Sequence, residues 1–524
     1  MRALSTTQER DPTKDPRNAD FPVGTSILLS TPHQRASGAL DPAILGLVAL
    51  LLVTGAAKLV FRASSPLWFD EVWTGAIAAQ RTLAEFVHQC SLDANAPLGY
   101  AVAWAWARVA GFSDEALRFP SAAFAALAPV VALAPSRAIP YRVRLVWAGL
   151  VACWLPGLLF ATEARCYSLL LLLGVANTAA FADLMRAPAL RAALVWASVS
   201  SLMIFTHYAA AAMVGCQGLA YLLVCRRAAL RTWPAALALA PSAALIAAHA
   251  ALLVSFSEVG SGGIPRLAIT DLPGLTEFLF GGRFAMGLTV LWAIGAFALG
   301  KIARTPASPE ASKPPDSRLW IAPVACIAAI ASCVVLSLMR PLVVERYLTA
   351  MVPGLLLGIA MIAQRLAVSW RIAPAALLAL QGGVFLGALS GALHDGKRFS
   401  FEQASSALMA AQTSSLVFLW DAPQNQHGAP DALAQIGGFF FHRAGRSIPV
   451  DPVFPAVGED PNKVLARRAY APGTGVIWLY DTGIPGTAAL RNPPNLSRLD
   501  ARWRCRDFGG AQQHVVACSR ARTF

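Results

Sequence analysis

Charge is scarce in this sequence: Asp, Glu, Lys and Arg make up 14% of its 524 residues, against roughly 25% in soluble domains. With 56% hydrophobic residues and a mean hydropathy of +0.53, that shortage excludes an ordinary soluble enzyme. Acidic residues are the scarcer sign, 29 against 43 Lys and Arg, which leaves a formal charge of +14. Much of the excess falls in short stretches between apolar runs, where cytoplasmic loops of membrane proteins concentrate their positive charge. A nucleic-acid partner is therefore not expected. The nine cysteines contain no CxxC pair, and His, Cys, Asp and Glu lack the dense spacing of a structural zinc site. No internal repeat is visible, whereas transporters tend to be built from paired repeats. No early apolar core followed by a small-residue cleavage site is present, so residues 1–40 are expected to be a disordered cytoplasmic tail and not a signal peptide.

What is abundant is apolar sequence in runs of about 15–20 residues, the length that crosses a bilayer as a helix. Such runs recur from Asp41 to Ala392, at about 41–61, 116–136, 145–162, 167–185, 192–206, 208–225, 233–254, 284–300, 320–339, 348–364 and 373–392. Basic clusters follow every second crossing, among them Arg137/Arg142/Arg144, Arg186/Arg191, Arg226/Arg227/Arg231 and Lys301/Arg304. This alternation predicts about eleven spans, a cytoplasmic N-terminus and an external C-terminus. The apolar but short segment 97–112 reads as a helix at the outer interface, where its tryptophans suit the aromatic belt. Two long external loops result, 62–115 and 255–283, the second mobile through its glycines in "SEVGSGGIPR".

After Ala392 the pattern changes. "SSLVFLW" (414–420) and "TGVIWLYD" (474–481) read as strands, 431–444 as a helix, and 501–520 as a hairpin turning at Gly509-Gly510. The fold class expected is mainly α: a polytopic transmembrane bundle over 41–392 with a small extracytoplasmic α/β domain over 393–524. Cys505 and Cys518 can pair if that domain lies in an oxidising compartment.

Against this background the acidic pair Asp70-Glu71 in "PLWFDEVWTG" stands out. A carboxylate at the bilayer centre costs about 2.5–3.5 kcal/mol on insertion scales, and the topology instead puts the pair at the wet outer face. Beginning one helix over 70–89, "DEVWTGAIAAQRTLAEFVHQ", is a sufficient structural role for both acids. Other polar residues, however, fall at the same face. Arg118 opens the second span, and Glu163 and Arg165 lie in the turn between the third and fourth. His207 and Tyr208 mark the next outer turn, and Arg346 and Tyr347 lie at the entrance of the tenth. A single arginine at a helix end can simply snorkel; four sets at one face point to a shared polar site. Glu71, His88, Glu163 and His207 could together assemble a divalent metal site, but a metal is not predicted.

The motifs "PLWFDEVWTG", "NAPLGY", "LRFPSA", "EARCYSLLLLL", "THYAA" and "ERYLTAMVPGLLL" occur in the order seen in the C-type (GT-C) membrane glycosyltransferases. The chain most resembles the bacterial branch related to protein O-mannosyltransferases, aminoarabinose transferases and galacturonosyltransferases of the lipopolysaccharide core. The resemblance covers roughly 41–392 and is strongest over 64–170. It implies transfer of a sugar from a polyprenyl-phosphate donor to an envelope acceptor outside the cytoplasmic membrane, with Asp70 as the reactive carboxylate and Glu71 its partner. It further implies that Glu163 and Arg165 match the second acidic motif and Arg346-Tyr347 the motif near the carrier phosphate. Where many relatives carry His-Pro-Pro, this chain has Asn95-Ala96-Pro97, and Asn95 joins the substrate-binding set.

These residue types suit that chemistry on their own terms. A carboxylate can take the proton of an attacking hydroxyl. The departing phosphate monoester needs compensation of charge, which arginines supply. Single displacement with inversion is therefore expected. The rival reading is a transporter or flippase, whose polar residues would mark a pathway.

Overall fold

The computed structural model describes residues 42–60, 66–258, 267–302, 317–341, 344–367, 372–392, 401–422, 429–456, 459–469, 471–481, 488–509 and 513–520. The tail 1–40 and the glycine-rich stretch of "SEVGSGGIPR" lie outside the described residues.

In chain order the helices are α1 (Pro42–Val60), α2 (Phe69–Ala78), α3 (Leu83–Ser91), α4 (Pro97–Ala110), α5 (Asp114–Leu133), α6 (Tyr141–Cys153), α7 (Leu155–Ala161), α8 (Tyr167–Arg186), α9 (Leu190–Thr206), α10 (Ala210–Cys225) and α11 (Arg227–Arg231). They continue as α12 (Ala240–Glu258), α13 (Leu272–Phe280), α14 (Arg283–Ile302), α15 (Ile321–Met339), α16 (Val352–Ala367) and α17 (Ala373–Ala392). Among the described residues four helical stretches are long and apolar enough to cross a bilayer alone: Asp114–Leu133, Tyr167–Arg186, Trp233–Ser255 and Ser317–Met339. This is a multi-pass membrane protein. Every apolar run read from the sequence is helical over most of its length.

Three features differ from the sequence reading, each for a local reason. The stretch from Asp70 to Gln89, read as one helix, is broken between α2 and α3 by a capping box. Thr82 Oγ1 accepts from the Glu85 N–H (3.2 Å) and Glu85 Oε2 accepts from the Thr82 N–H (3.0 Å), a reciprocal pair that starts a new helix. The third span is bent by 56° between α6 and α7, where Pro156 removes a backbone donor. The region 255–283, expected as an external loop, holds α13, which meets α14 at 76° across Gly281 and Gly282, both with positive φ.

The C-terminal region adds α18 (Phe401–Ala410), α19 (Pro430–Arg443) and α20 (Pro461–Arg468), with strands β1 (Ser415–Asp421), β2 (Val450–Pro452), β3 (Thr474–Asp481), β4 (Arg504–Asp507) and β5 (Gln513–Ser519). The five-stranded sheet runs β2-β1-β3-β5-β4. β1 pairs in parallel with β2 and β3, whereas β5 pairs antiparallel with β3 and β4. Alternation along the strands divides the core. Leu416, Phe418, Ile477 and Leu479 join α18, α19 and the α2 residues Phe69, Val72 and Ala76. Val417, Leu419, Val476 and Trp478 pack against Leu465, Leu496 and Trp503 on the other face. Cys505 and Cys518, opposite one another on β4 and β5, form a disulfide. Cys90 is a free, buried thiol.

The sheet domain is joined to the membrane bundle through α2. A Cβ on Gly75 would lie 2.6 Å from the Phe439 ring, so only glycine permits this approach of α19 to α2. Arg443 of α19 donates to Asp114 at the start of α5 (2.5 Å) and to Glu402 of α18.

Candidate active site

Asp70 and Glu71 both occupy the first turn of α2, but about 100° of helix separates successive side chains, and the two meet different surroundings. Glu71 turns inward and is buried. Its Oε1 accepts from Arg118 Nε (2.7 Å) and the Ala164 N–H (2.8 Å), and its Oε2 from Arg118 Nη2 (2.7 Å) and the Trp68 N–H (3.1 Å). Four donors occupy the roughly four lone-pair directions of a carboxylate. Burial pushes the Glu71 carboxyl up from its usual range, while Arg118 and the Ala164 N–H oppose that rise. Arg118 also donates to the Pro66 carbonyl (3.1 Å), and Glu163 lies within electrostatic reach of both Glu71 and Arg118. This group ties α2, α5 and the turn between α7 and α8 together.

Asp70 faces the other way and keeps 27% of its side chain exposed. Its Oδ2 lies 3.9 Å from Arg165 Nη2 and 3.7 Å from Arg346 Nη2, ion-pair distances too long for hydrogen bonds. Arg165, from the turn between α7 and α8, is anchored from behind. Its Nη1 donates to the Asp70 carbonyl (3.1 Å) and to the Tyr100 hydroxyl (3.4 Å). Tyr100 in turn donates to Asp93, which also accepts from Asn95 Nδ2 at 3.2 Å. Burial, followed by the charge of Asp93, holds the Tyr100 hydroxyl well above its usual range, so it remains a proton donor. A Cβ on Gly99 would sit 2.7 Å from Cys166 Cβ; the missing side chain lets α4 bring Tyr100 against Arg165.

Arg346 comes from the short 3-10 turn Glu345–Ala350. Its guanidinium lies 5.7 Å over the Tyr167 ring and 6.0 Å over that of Trp68. The next residue, Tyr347, packs against His207 with ring centroids 4.4 Å apart and the rings tilted by 52°. His207 Nδ1 accepts from the Ala209 N–H (3.2 Å), which leaves the proton of the neutral ring on Nε2. Burial, then the charges of Arg165 and Arg346, pushes the imidazole down to about 3. Arg165 Nε, Arg346 Nε and His207 Nε2 are all buried without a hydrogen-bond partner among the described residues. Unpaired buried polar atoms are uncommon, and these three belong to one cluster beside an accessible carboxylate.

Of the residues singled out in the sequence, Asp70, Arg165 and Arg346 thus come together, with His207 and Tyr347 alongside. Glu71 and Arg118 are committed to one another. Asn95 is held by Asp93. Tyr208 gives its hydroxyl to His249 of α12 at 2.7 Å. His88 is exposed on α3, and among the described residues no three His, Cys, Asp or Glu side chains group as a metal site. Sequence reasoning missed Asp93, Tyr100, Trp68 and Tyr167. The signal available for Tyr100 was its place in "NAPLGY"; Asp93 carried none beyond being an acid beside that motif.

No protein-family model and no curated protein sequence matches this chain. Solved structures similar to it include two of ArnT from Cupriavidus metallidurans. The crystal structure bound to undecaprenyl phosphate aligns with a TM-score of 0.55 at 12% identity, over 91% of this chain and 98% of that one. The apo structure gives 0.47 at 14% identity, over 90% and 97%. This chain therefore shares the fold of ArnT.

Proposed function

We propose that this protein is a membrane glycosyltransferase that moves a sugar from a polyprenyl-phosphate donor to an envelope acceptor at the outer face of the cytoplasmic membrane. The observation that carries this reading is the open cluster of Asp70 with Arg165 and Arg346: a partly exposed carboxylate between two guanidinium groups whose buried Nε–H donors have no partner among the described residues. ArnT, whose fold this chain shares, binds undecaprenyl phosphate in its crystal structure, which agrees with a lipid-phosphate donor.

In the proposed reaction, Arg165 and Arg346 hold the donor phosphate through charge-assisted hydrogen bonds. The neutral His207 adds a donor at Nε2. Asp70 takes the proton of the acceptor hydroxyl as its oxygen attacks the anomeric carbon. The bond from that carbon to the phosphate oxygen breaks, and its electron pair leaves on the polyprenyl phosphate. The second pKa of a phosphate monoester is about 6, so it departs without a proton, and the arginines balance the charge that develops. The product has the inverted anomeric configuration. Glu71, with its lone pairs occupied, holds the helix that aims Asp70.

The cross-strand disulfide Cys505–Cys518 supports an oxidising compartment for the C-terminal domain, and the basic loops support a cytoplasmic N-terminus. Acceptor choice is assigned to the 255–283 region and the sheet domain. The test is release of polyprenyl phosphate from a purified lipid-linked sugar donor, together with mass spectrometry of envelope glycolipids and glycoproteins from a deletion strain. Donor cleavage abolished by Asp70→Asn is the expected result. No cleavage by the native protein and no altered glycan in the deletion strain overturns the reading, and a retained anomeric configuration overturns the single displacement.

A further inference from the structure

Lys58 lies near the end of α1, where a lysine ordinarily snorkels to the surface. Here it is 1% exposed and shares its buried stripe with Leu47 and Thr54. Its Nζ donates to the Ala152 carbonyl of α6 at 3.0 Å and to the Ala125 carbonyl of α5 at 3.5 Å. Those carbonyls have something in common. In an α-helix the carbonyl of residue i accepts from the N–H of residue i+4. For Ala125 that residue is Pro129, and for Ala152 it is Pro156; neither has an N–H to give. The other proline inside α5, Pro120, leaves Ala116 in the same position, and that carbonyl accepts from Trp106 Nε1 of α4 at 2.8 Å. Side chains from neighbouring helices thus replace the backbone donors that the prolines remove.

We infer that Lys58 is a positioning residue for the active site, a two-pronged donor that holds the proline-interrupted helices α5 and α6–α7 at fixed angles. The structural consequence follows along the chain. Ala152 lies directly before the 56° bend, α7 is seven residues long, and the turn after it carries Glu163, Ala164 and Arg165. Ala164 donates to Glu71 and Arg165 faces Asp70. On the other prong, α5 carries Arg118 and also Ser121, whose hydroxyl donates to the Arg165 carbonyl at 3.0 Å. One amino group therefore links the two helices that deliver the arginines to the acidic pair. Its effect on turnover rests on the proposed transferase activity; its effect on backbone geometry does not.

The test compares three full-length proteins purified in detergent: the native chain, Lys58→Met, and Lys58→Met combined with Pro129→Ala and Pro156→Ala. Methionine keeps the length of the side chain and removes its donors, and the alanines give the helices back their own N–H groups. Hydrogen exchange over residues 155–166 is expected to rise about tenfold in Lys58→Met and to return toward the native value in the triple variant. Turnover with a polyprenyl-phosphate sugar is expected to fall about a hundredfold in Lys58→Met, the loss typical of a misplaced catalytic group. The donor KM changes far less than kcat, and the prolines' replacement recovers turnover. Native exchange over 155–166 in Lys58→Met overturns the inference. So does equal damage in the single and triple variants, including a failure of both to accumulate as folded protein. If the native chain transfers no sugar, the proposed function fails while the exchange comparison still decides the role of Lys58.

Discussion

Asp70 and Glu71 are adjacent in sequence, share one helical turn and both face arginine, yet they form opposite kinds of site. The Glu71–Arg118 pair is closed: bidentate, 1% and 3% exposed, with two backbone N–H groups completing the carboxylate's shell. The Asp70–Arg165–Arg346 cluster is open, with ion-pair distances of 3.7 and 3.9 Å and Nε donors that have no acceptor among the described residues. The difference teaches that a carboxylate's chemistry is set by how many of its lone pairs the fold has already used. A saturated carboxylate holds structure. An unsaturated one can receive a proton, and the unsaturated cations beside it are free to bind an anion.

Asp70→Asn breaks the open side most sharply. It removes the proton acceptor and nearly preserves shape, so turnover should fall by about 10²–10⁴-fold in single-turnover release of polyprenyl phosphate, with the melting temperature of the purified protein nearly unchanged. Glu71→Ala breaks the closed side and should do the reverse in kind. Leaving Arg118 buried without its partner costs about 3–5 kcal/mol, read as a lower melting temperature and poor accumulation; replacing both residues by methionine should recover part of it. Arg346→Lys sharpens the comparison at the phosphate. Loss of the planar fork should weaken donor binding by about tenfold, visible as a raised donor KM with the stability kept.

A pH titration separates the clusters more gently. Because burial lowers His207 from its ordinary 6.5 to about 3, the unfolded chain binds a proton there that the native one refuses. Stability should therefore fall as pH drops through the window from about 6.5 to about 3, and a His207→Gln variant should lose that slope in thermal melts. Tyr208→Phe should have the smallest effect. It forfeits one hydrogen bond to His249, worth about 0.5–1.5 kcal/mol of stability, and should leave the donor KM nearly unchanged because that hydroxyl is committed to His249.

What was legible in the sequence was whatever depends on local periodicity or on covalent neighbours. The apolar runs became helices, and the segments read as strands at 414–420 and 474–481 are β1 and β3 to within a residue. The acidic pair was visible because charge is rare around it. Partnerships across the fold were not. Nothing local distinguishes Asp70 from Glu71, since their roles depend on residues 47, 93 and 95 positions away. Asp93 could not be found because its partner Tyr100 matters only through Arg165. The break at Thr82 was readable from its Thr-x-x-Glu spacing, but the hydrophobic run through it masked the cap. Nothing local marks Lys58, because the carbonyls it serves belong to other helices.

The contact between Gly75 and Phe439 carries a practical lesson for anyone who rebuilds this protein. Since α2 has no room for even a methyl group against α19, the sheet domain and the helix that bears the acidic pair are machined to one another. Chimeras that exchange the C-terminal domain among relatives to alter acceptor choice will need to carry residues 66–78 with it, as a matched key and lock.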